Sequence, residues 1–233
     1  MRLNLKSYGN HSPIYDARIL SVRPEYVIDN PPHGLWGEIY GYDTERLLHN
    51  IAEYQTAGIK VIGYITSGYE GTGSDGGIDP YWYSLELNEM LIKNMAELDH
   101  VDGVFIDECS AYPDASSKNY LKKLTDLAHS YGLITWGNTG VDQFDEWFFT
   151  DGGFDLMQSS ENWRGQSLSE VQREWGHRIS VTGFNASYTA QDAYNLTIDA
   201  WEKGLAYCYI NDAEYISIAS WFEEYAALLR EYK

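Results

Sequence analysis

Cations are scarce in this chain. Its 233 residues carry 16 Lys and Arg against 35 Asp and Glu, a formal net charge of −19. A field of that sign repels phosphate backbones, so nucleic acid is excluded as a partner. It would draw in a cationic substrate, such as a polymer of free amino sugars, although plain solubility explains it as well. Cysteine is nearly missing. Cys109 and Cys208 form no CxxC pair and no metal-ligand spacing, and both read as small buried apolar residues. Apolar runs long enough to span a membrane are missing, and MRLNLKSYGN at the start is no signal peptide, so no membrane partner is expected. The chain is therefore cytoplasmic or a trimmed mature domain.

Familiar chemical signatures are missing too. There is no GxGxxG and no GxxxxGK[ST], which argues against dinucleotide and nucleotide chemistry. The segment SGYEGTGSDGG, 67–77, is Gly-rich but lacks the phosphate-binding Lys, and it reads as a mobile substrate loop. Six His occur without HExxH, and no D-x-D-x-D-G loop is found. No metal and no cofactor is expected. A serine triad lacks its GxSxG elbow.

What is present is aromatic: 8 Trp, 20 Tyr and 7 Phe. Flat rings with polar tips suit sugar faces, and they also fill cores. Short apolar runs alternate with amphipathic stretches, the pattern of parallel βα units. Strands are expected at Leu3–Ser7, Tyr26–Asp29, Lys60–Thr66, Gly103–Asp107, Leu133–Trp136, Phe154–Ser159, Ile179–Thr182 and Leu205–Ile210. Helices are expected from Ser12-Pro13 onward, at Thr44–Thr56, Ser84–Leu98, Ser116–Ser130, Gln143–Phe149, Ser169–Trp175, Thr189–Lys203 and Trp221–Glu231. Eight strands close a barrel. The expected fold is α/β, a (β/α)8 TIM barrel forming one domain over residues 1–233, as a monomer.

Barrel chemistry sits at the C-terminal strand ends. Polar residues recur there: Asp29 and Asn30, Tyr64 and Thr66, Asp107 and Glu108, Asn138, Glu161, Asn185, then Asn211 and Asp212. Asp29, Asn185 and Asp212 taken singly are as readily helix caps or turn formers. Asp107 alternates with Phe105 and should point inward, with Glu108 reaching across or pairing with a rim cation. Glu161 follows the sixth strand, close enough on the circle to approach Asp107 across the mouth. Paired carboxyl groups, one protonated and one ionised, are what glycoside hydrolysis needs.

These segments have a likeness. YVIDNP, VIGYITSGY, GVFIDE, GNTG and a strand ending in SSEN, spread from Tyr26 to Trp163, resemble the spherulin-4 family of glycoside hydrolases. The resemblance implies a barrel that cleaves α-1,4-linked galactosamine or N-acetylgalactosamine polymers internally, and a secreted or cell-surface setting. It places the family's acidic pair on Asp107 and Glu108, its later glutamate on Glu161 and its early Asn-Pro on Asn30-Pro31. Two departures stand near the substrate: Asn138-Thr139-Gly140 where the family has Asn-Pro-Gly, and Gly63-Tyr64-Ile65-Thr66-Ser67 in the third-strand motif. On this reading Asp107 is the nucleophile or transition-state stabiliser, Glu161 the general acid/base, and Glu108 orients them. Asp29, Asn30, Tyr64, Thr66, Asn138, Asn185 and Asp212 would bind sugar hydroxyls. Trp163, with Trp82 and Trp136, would stack on sugar or simply pack. The competing readings are a non-catalytic carbohydrate-binding barrel of a spore or wall protein, and a metal-dependent hydrolase of another class.

Overall fold

A computed structural model describes residues 4–7, 13–40, 43–73, 79–212 and 218–232. Eight parallel strands form one sheet in sequence order. They are β1 (Asn4–Ser7), β2 (Tyr26–Asp29), β3 (Lys60–Thr66), β4 (Gly103–Asp107), β5 (Ile134–Asn138), β6 (Leu156–Gln158), β7 (Ile179–Phe184) and β8 (Tyr207–Asn211). Helices follow the strands and cover the outer face. The sheet curls until Cα atoms of β1 and β8 come within 8 Å of each other. Hydrogen-bonded ladders among the described residues run from β1 through to β8.

The inner face is filled with rings. Tyr26 on β2 meets Trp136 on β5 and Tyr207 on β8 edge-on, with centroids 5.4 and 5.3 Å away. Trp136 also touches Phe105, which stacks beside Tyr64. The indole N–H of Trp136 is satisfied by Ser180 Oγ on β7 at 3.2 Å. Trp136 is fully buried here, so it is a core residue and offers no sugar platform. Removing so large a buried ring leaves a cavity. Trp136→Ala is expected to cost about 3–5 kcal/mol of unfolding free energy in a urea titration. A loss below about 1 kcal/mol would mean that this cluster of rings does not hold the curled sheet.

The outer helices form where capping and periodicity direct them. Thr44–Thr56 buries Leu47, Ile51 and Tyr54 on one face and is capped by Asp43. Ala115–Ser130 is capped by Asp114, and Ala190–Glu202 opens on a Thr189–Asp192 capping box. Gly58, Gly132 and Gly204, all at positive φ, end the helices that precede β3, β5 and β8.

Several expected boundaries move. The regular helix after Ser84 ends at Asn94, and a wider turn follows over Met95–Asp99. Its Met95 sulfur occupies space that a side chain at Gly63 would need, 2.4 Å from the ideal Cβ. The helix expected over Gln143–Phe149 is a short turn at Trp147–Thr150. A helix at Leu35–Tyr40 was not expected at all. β5 and β7 each run two residues further than their apolar runs, to Asn138 and Phe184. β8 starts at Tyr207, because the Ala206 N–H turns to the carbonyls of Gly176 and Ile179. Leu3, Ser12 and part of the Gly-rich segment, 74–77, lie outside the described residues. No helix among the described residues is long and apolar enough to cross a membrane.

Candidate active site

Strand alternation decides which polar side chains meet. Tyr64, Phe105 and Trp136 lie side by side in the ladder and face inward, so the residues two steps on, Thr66, Asp107 and Asn138, share that face at the mouth. Asn138 reaches the mouth because β5 continues through Gly137, whose missing side chain leaves room for Met157 and Phe154.

Asp107 is met by three donors. The Tyr64 hydroxyl donates to Oδ2 at 2.8 Å, Asn138 Nδ2 to Oδ1 at 2.6 Å, and the Glu108 N–H to Oδ1 at 2.8 Å. Such a set suits an acceptor-only carboxylate. The same Asn138 nitrogen donates to Glu161 Oε1 at 2.8 Å. Its amide orientation is fixed, since Asn138 Oδ1 accepts the Gly140 N–H at 2.9 Å. One amide therefore clamps two carboxylates, and the two clamped oxygens lie no further apart than these bonds of 2.6 and 2.8 Å laid end to end. Gln158 Nε2 adds a second donor to Glu161 Oε1 at 3.0 Å. The other oxygen, Oε2, faces the backbone of Gly140 across the cleft, 3.6 Å from where a Cβ would stand.

Glu161 owes its position to the strand beside it. The Ser159 N–H donates to Ser180 O, the Thr182 N–H to Ser160 O, and the Trp163 N–H to Thr182 O. This laces the bend containing Glu161 onto β7. Trp163 anchors the bend from behind: it is fully buried, its indole N–H donates to Leu196 O, and Lys203 sits over its ring. Trp163 shows no ring face to a ligand. Its place is behind the site, holding Glu161 forward.

Glu108 does not alternate outward. Its φ of 55° puts it in the left-handed region, and its carboxylate receives the Thr66 hydroxyl at 2.6 Å. The loop after β3 is equally unusual. Gly68, Tyr69, Glu70 and Gly71 all have positive φ, making one left-handed turn. Each non-glycine residue so placed costs about 1–2 kcal/mol. The turn is held by a row of bonds: Ser67 N–H to Asp107 O, Ser67 Oγ to Glu108 O, and Tyr69 N–H to Glu108 O. Glu70 closes the row by accepting both the N–H and the hydroxyl of Ser110. Burial pushes the Glu70 carboxyl up, and the Ser110 bonds oppose that. Residues 67–71 are thus pinned, which corrects the expectation of a loose loop there.

The result is a cleft of about 190 Å³ lined by Tyr69, Asp107, Glu108, Asn138, Thr139, Gly140 and Glu161. No Lys or Arg is among these lining residues. The Tyr64 phenol registers the whole field. Burial raises it well above its usual value, and Asp107, Glu108 and Glu161 raise it further, so it stays a donor. Among the described residues, no group of His, Cys, Asp and Glu is arranged to hold a metal ion.

The other candidates stand apart from this cluster. Asp29 is buried, in register with Gly63, whose side-chain direction leads to Met95 and the helix layer. Its charge acts on Tyr54 of that layer. Asn30 is buried beyond it, with its N–H on Asp29. Asn185 is exposed and closes its own turn by accepting from Ser187. Asp212 contributes to the field at Arg18. Trp82 is partly buried against Tyr81. Three residues near the cluster were not among the candidates. Tyr69 lines the cleft, Gln158 donates to Glu161, and Trp36 lies beside Tyr64 with centroids 6.3 Å apart. Trp36 belongs to the helix that the sequence pattern did not reveal, and Tyr69 stood within the segment taken for a loose loop.

No family model matches the chain, and no curated protein matches it. Solved structures do. Aspergillus clavatus Sph3, crystallised in complex with GalNAc, superposes with a TM-score of 0.69 at 16% identity, covering 97% of this chain and 96% of that one. The PgaB (BpsB) glycoside hydrolase domain from Bordetella bronchiseptica gives 0.64 at 10% identity, covering 99% of each. A GH18 chitinase from Pseudoalteromonas aurantia gives 0.61 at 13% identity, covering 97% and 99%. At such identities the shared property is the fold, a curled parallel sheet wrapped by helices.

Proposed function

We propose that this chain is a glycoside hydrolase whose reacting pair is Asp107 and Glu161, set in a single closed (β/α)8 barrel. The observation that carries the reading is the shared amide of Asn138, whose bonds of 2.6 and 2.8 Å hold one oxygen of each carboxylate within the span of those two bonds. That separation suits a double displacement with retained anomeric configuration, and is shorter than the roughly 6.5–9.5 Å that leaves room for a water in single displacement. Closure of the barrel is supported by the contact of Tyr26 and Tyr207 across the seam.

In the proposed reaction an Asp107 oxygen attacks the anomeric carbon as Glu161 passes a proton to the departing glycosidic oxygen. A glycosyl ester on Asp107 results, with Glu161 ionised. Glu161 then takes a proton from water, the water oxygen attacks the anomeric carbon, and Asp107 leaves as the carboxylate. The donors around Asp107 fit its part as the anion, and the Glu161 oxygen facing the cleft fits the part of acid and base. Glu108, tied to Thr66, orients the pair from the side. Tyr64 and Asn138 hold Asp107 in line.

The substrate proposed is an α-1,4-linked polymer of galactosamine or N-acetylgalactosamine, cut internally. Three things support it: the spherulin-4 resemblance, the fold shared with a protein crystallised with GalNAc, and a carboxylate-lined cleft without a cation. The test is release of reducing ends from fully acetylated and partly deacetylated polymer, with the anomeric form of the new ends read by proton NMR before mutarotation. Oligosaccharides born with the α configuration are expected. β-configured products would overturn the double displacement, and binding without cleavage would make the chain a carbohydrate-binding barrel.

A further inference from the structure

Three of the five described non-glycine residues at positive φ, Tyr69, Glu70 and Glu108, meet at one edge of the cleft. The other two, Arg23 and His100, end helical segments. Strain gathered at a single rim and held there by surrounding bonds points to a constraint on what the rim presents. Here the strained turn presents Tyr69, which lines the same cleft as Asp107, Glu108 and Glu161.

We infer that Tyr69 is a substrate-contact residue forming a sugar-binding wall, and that Glu70, through its bonds to Ser110, is the positioning residue that sets this wall against the carboxylate pair. This rests on the glycosidase reading. The geometry is specific. Ser110 lies on the β4 loop, two residues beyond Glu108, so the Glu70 carboxylate ties the β3 loop to the strand end that carries Asp107 and Glu108. The Tyr69 N–H on Glu108 O is the inner stitch of the same seam. Gly68 makes the turn compact, since a Cβ there would lie 2.4 Å from the ring of Tyr83. Glu70 itself is not among the cleft-lining residues, so its influence on a sugar passes through Tyr69. Glutamine at position 70 keeps an acceptor for the Ser110 N–H and replaces the second bond by donating to the Ser110 hydroxyl oxygen. Alanine keeps neither.

The test is steady-state hydrolysis of the amino-sugar polymer by the full chain in wild type, Tyr69→Ala, Glu70→Ala, Glu70→Gln and the Tyr69→Ala/Glu70→Ala double variant, with melting temperatures recorded for each. Tyr69→Ala and Glu70→Ala are each expected to raise KM about tenfold with a smaller change in kcat, and Glu70→Gln to stay within about threefold of wild type. In the double variant the Glu70→Ala change should add almost nothing to Tyr69→Ala, the non-additivity of residues acting through one another. Additive effects, or a Glu70→Ala variant with wild-type KM, would overturn the inference. Should a variant fail to fold, the comparison of Tyr69→Phe with Tyr69→Ala decides whether the ring forms the wall, and equal KM values for both and for wild type would also overturn it. A wild type that neither cuts nor binds the polymer would instead defeat the glycosidase reading.

Discussion

Glu161→Gln loses about 10²–10⁴-fold in kcat on the natural polymer while remaining folded, and loses far less on an aryl glycoside. The leaving oxygen of a sugar needs a proton as its bond breaks. A phenolate of low basicity does not, so the missing acid matters little to it in the first step. Glutamine fits the surroundings poorly but tolerably. Its Oε1 can still accept from Asn138 and Gln158, and its NH2 would then face Gly140 across the cleft. Asp107→Asn behaves differently. Three donors converge on Asp107, and an amide has only one oxygen to receive them. Its loss is expected to exceed about 10³-fold and to be the same for polymer and aryl glycoside, because bond formation at the anomeric carbon is removed for both. Equal sensitivity of the two substrates to Glu161→Gln would take the acid role away from that residue. Retained activity in Asp107→Asn would take the nucleophile role from Asp107.

Asn138→Ala carries the second large effect, about 10²-fold or more in kcat/KM, the scale of one lost donor at a charged reacting group. This amide is the shared partner of one oxygen from each of the two carboxyl groups. Without it, Asp107 loses a hydrogen bond that favours its charged form, which raises its tendency to bind a proton. The acidic limb of the kcat/KM profile should therefore move to higher pH. Asn138→Asp should move it further, since a further carboxylate then stands where a donor stood. The measurement is the profile between about pH 3 and 8 for the three proteins. An unchanged limb in Asn138→Ala would show that the clamp does not govern the pair.

Much of this architecture could be read from residue order. Alternating apolar runs located all eight strands, and the caps at Thr189, Ser169 and Asp43 fall where a polar residue precedes a periodic stretch. The ends of strands were harder. Gly137-Asn138 reads as a turn, yet it continues β5, because a glycine there admits Met157 and Phe154 from the far side. Period-two reasoning placed Asp107 on the inner face; Tyr64, Thr66 and Asn138 stood out only as polar residues at strand ends, and the ladder brings them onto that face. It could not reveal that Glu108 escapes alternation through a left-handed backbone, since nothing in a single glutamate announces its φ. Asp29 shows the opposite limit. It stands at a strand end like the others, but one step out of phase with them, and so it faces the helices. Trp163 was ambiguous by nature: a ring two residues after a carboxylate is platform or anchor depending on which way the bend turns, and here the bend laced to β7 sets its indole against the Leu196 carbonyl, behind the site.

The plug of Tyr26, Trp136 and Tyr207 has a kinetic consequence. Closed into the proposed barrel, the sheet is stopped with rings and has a mouth but no exit. On the proposed function, substrate cannot thread through it, and each product must depart by the door through which the next chain arrives. Arrival and departure therefore compete for one opening, and cleaved oligosaccharide should inhibit as a competitor of the polymer, its grip setting the pace once the chemistry is done.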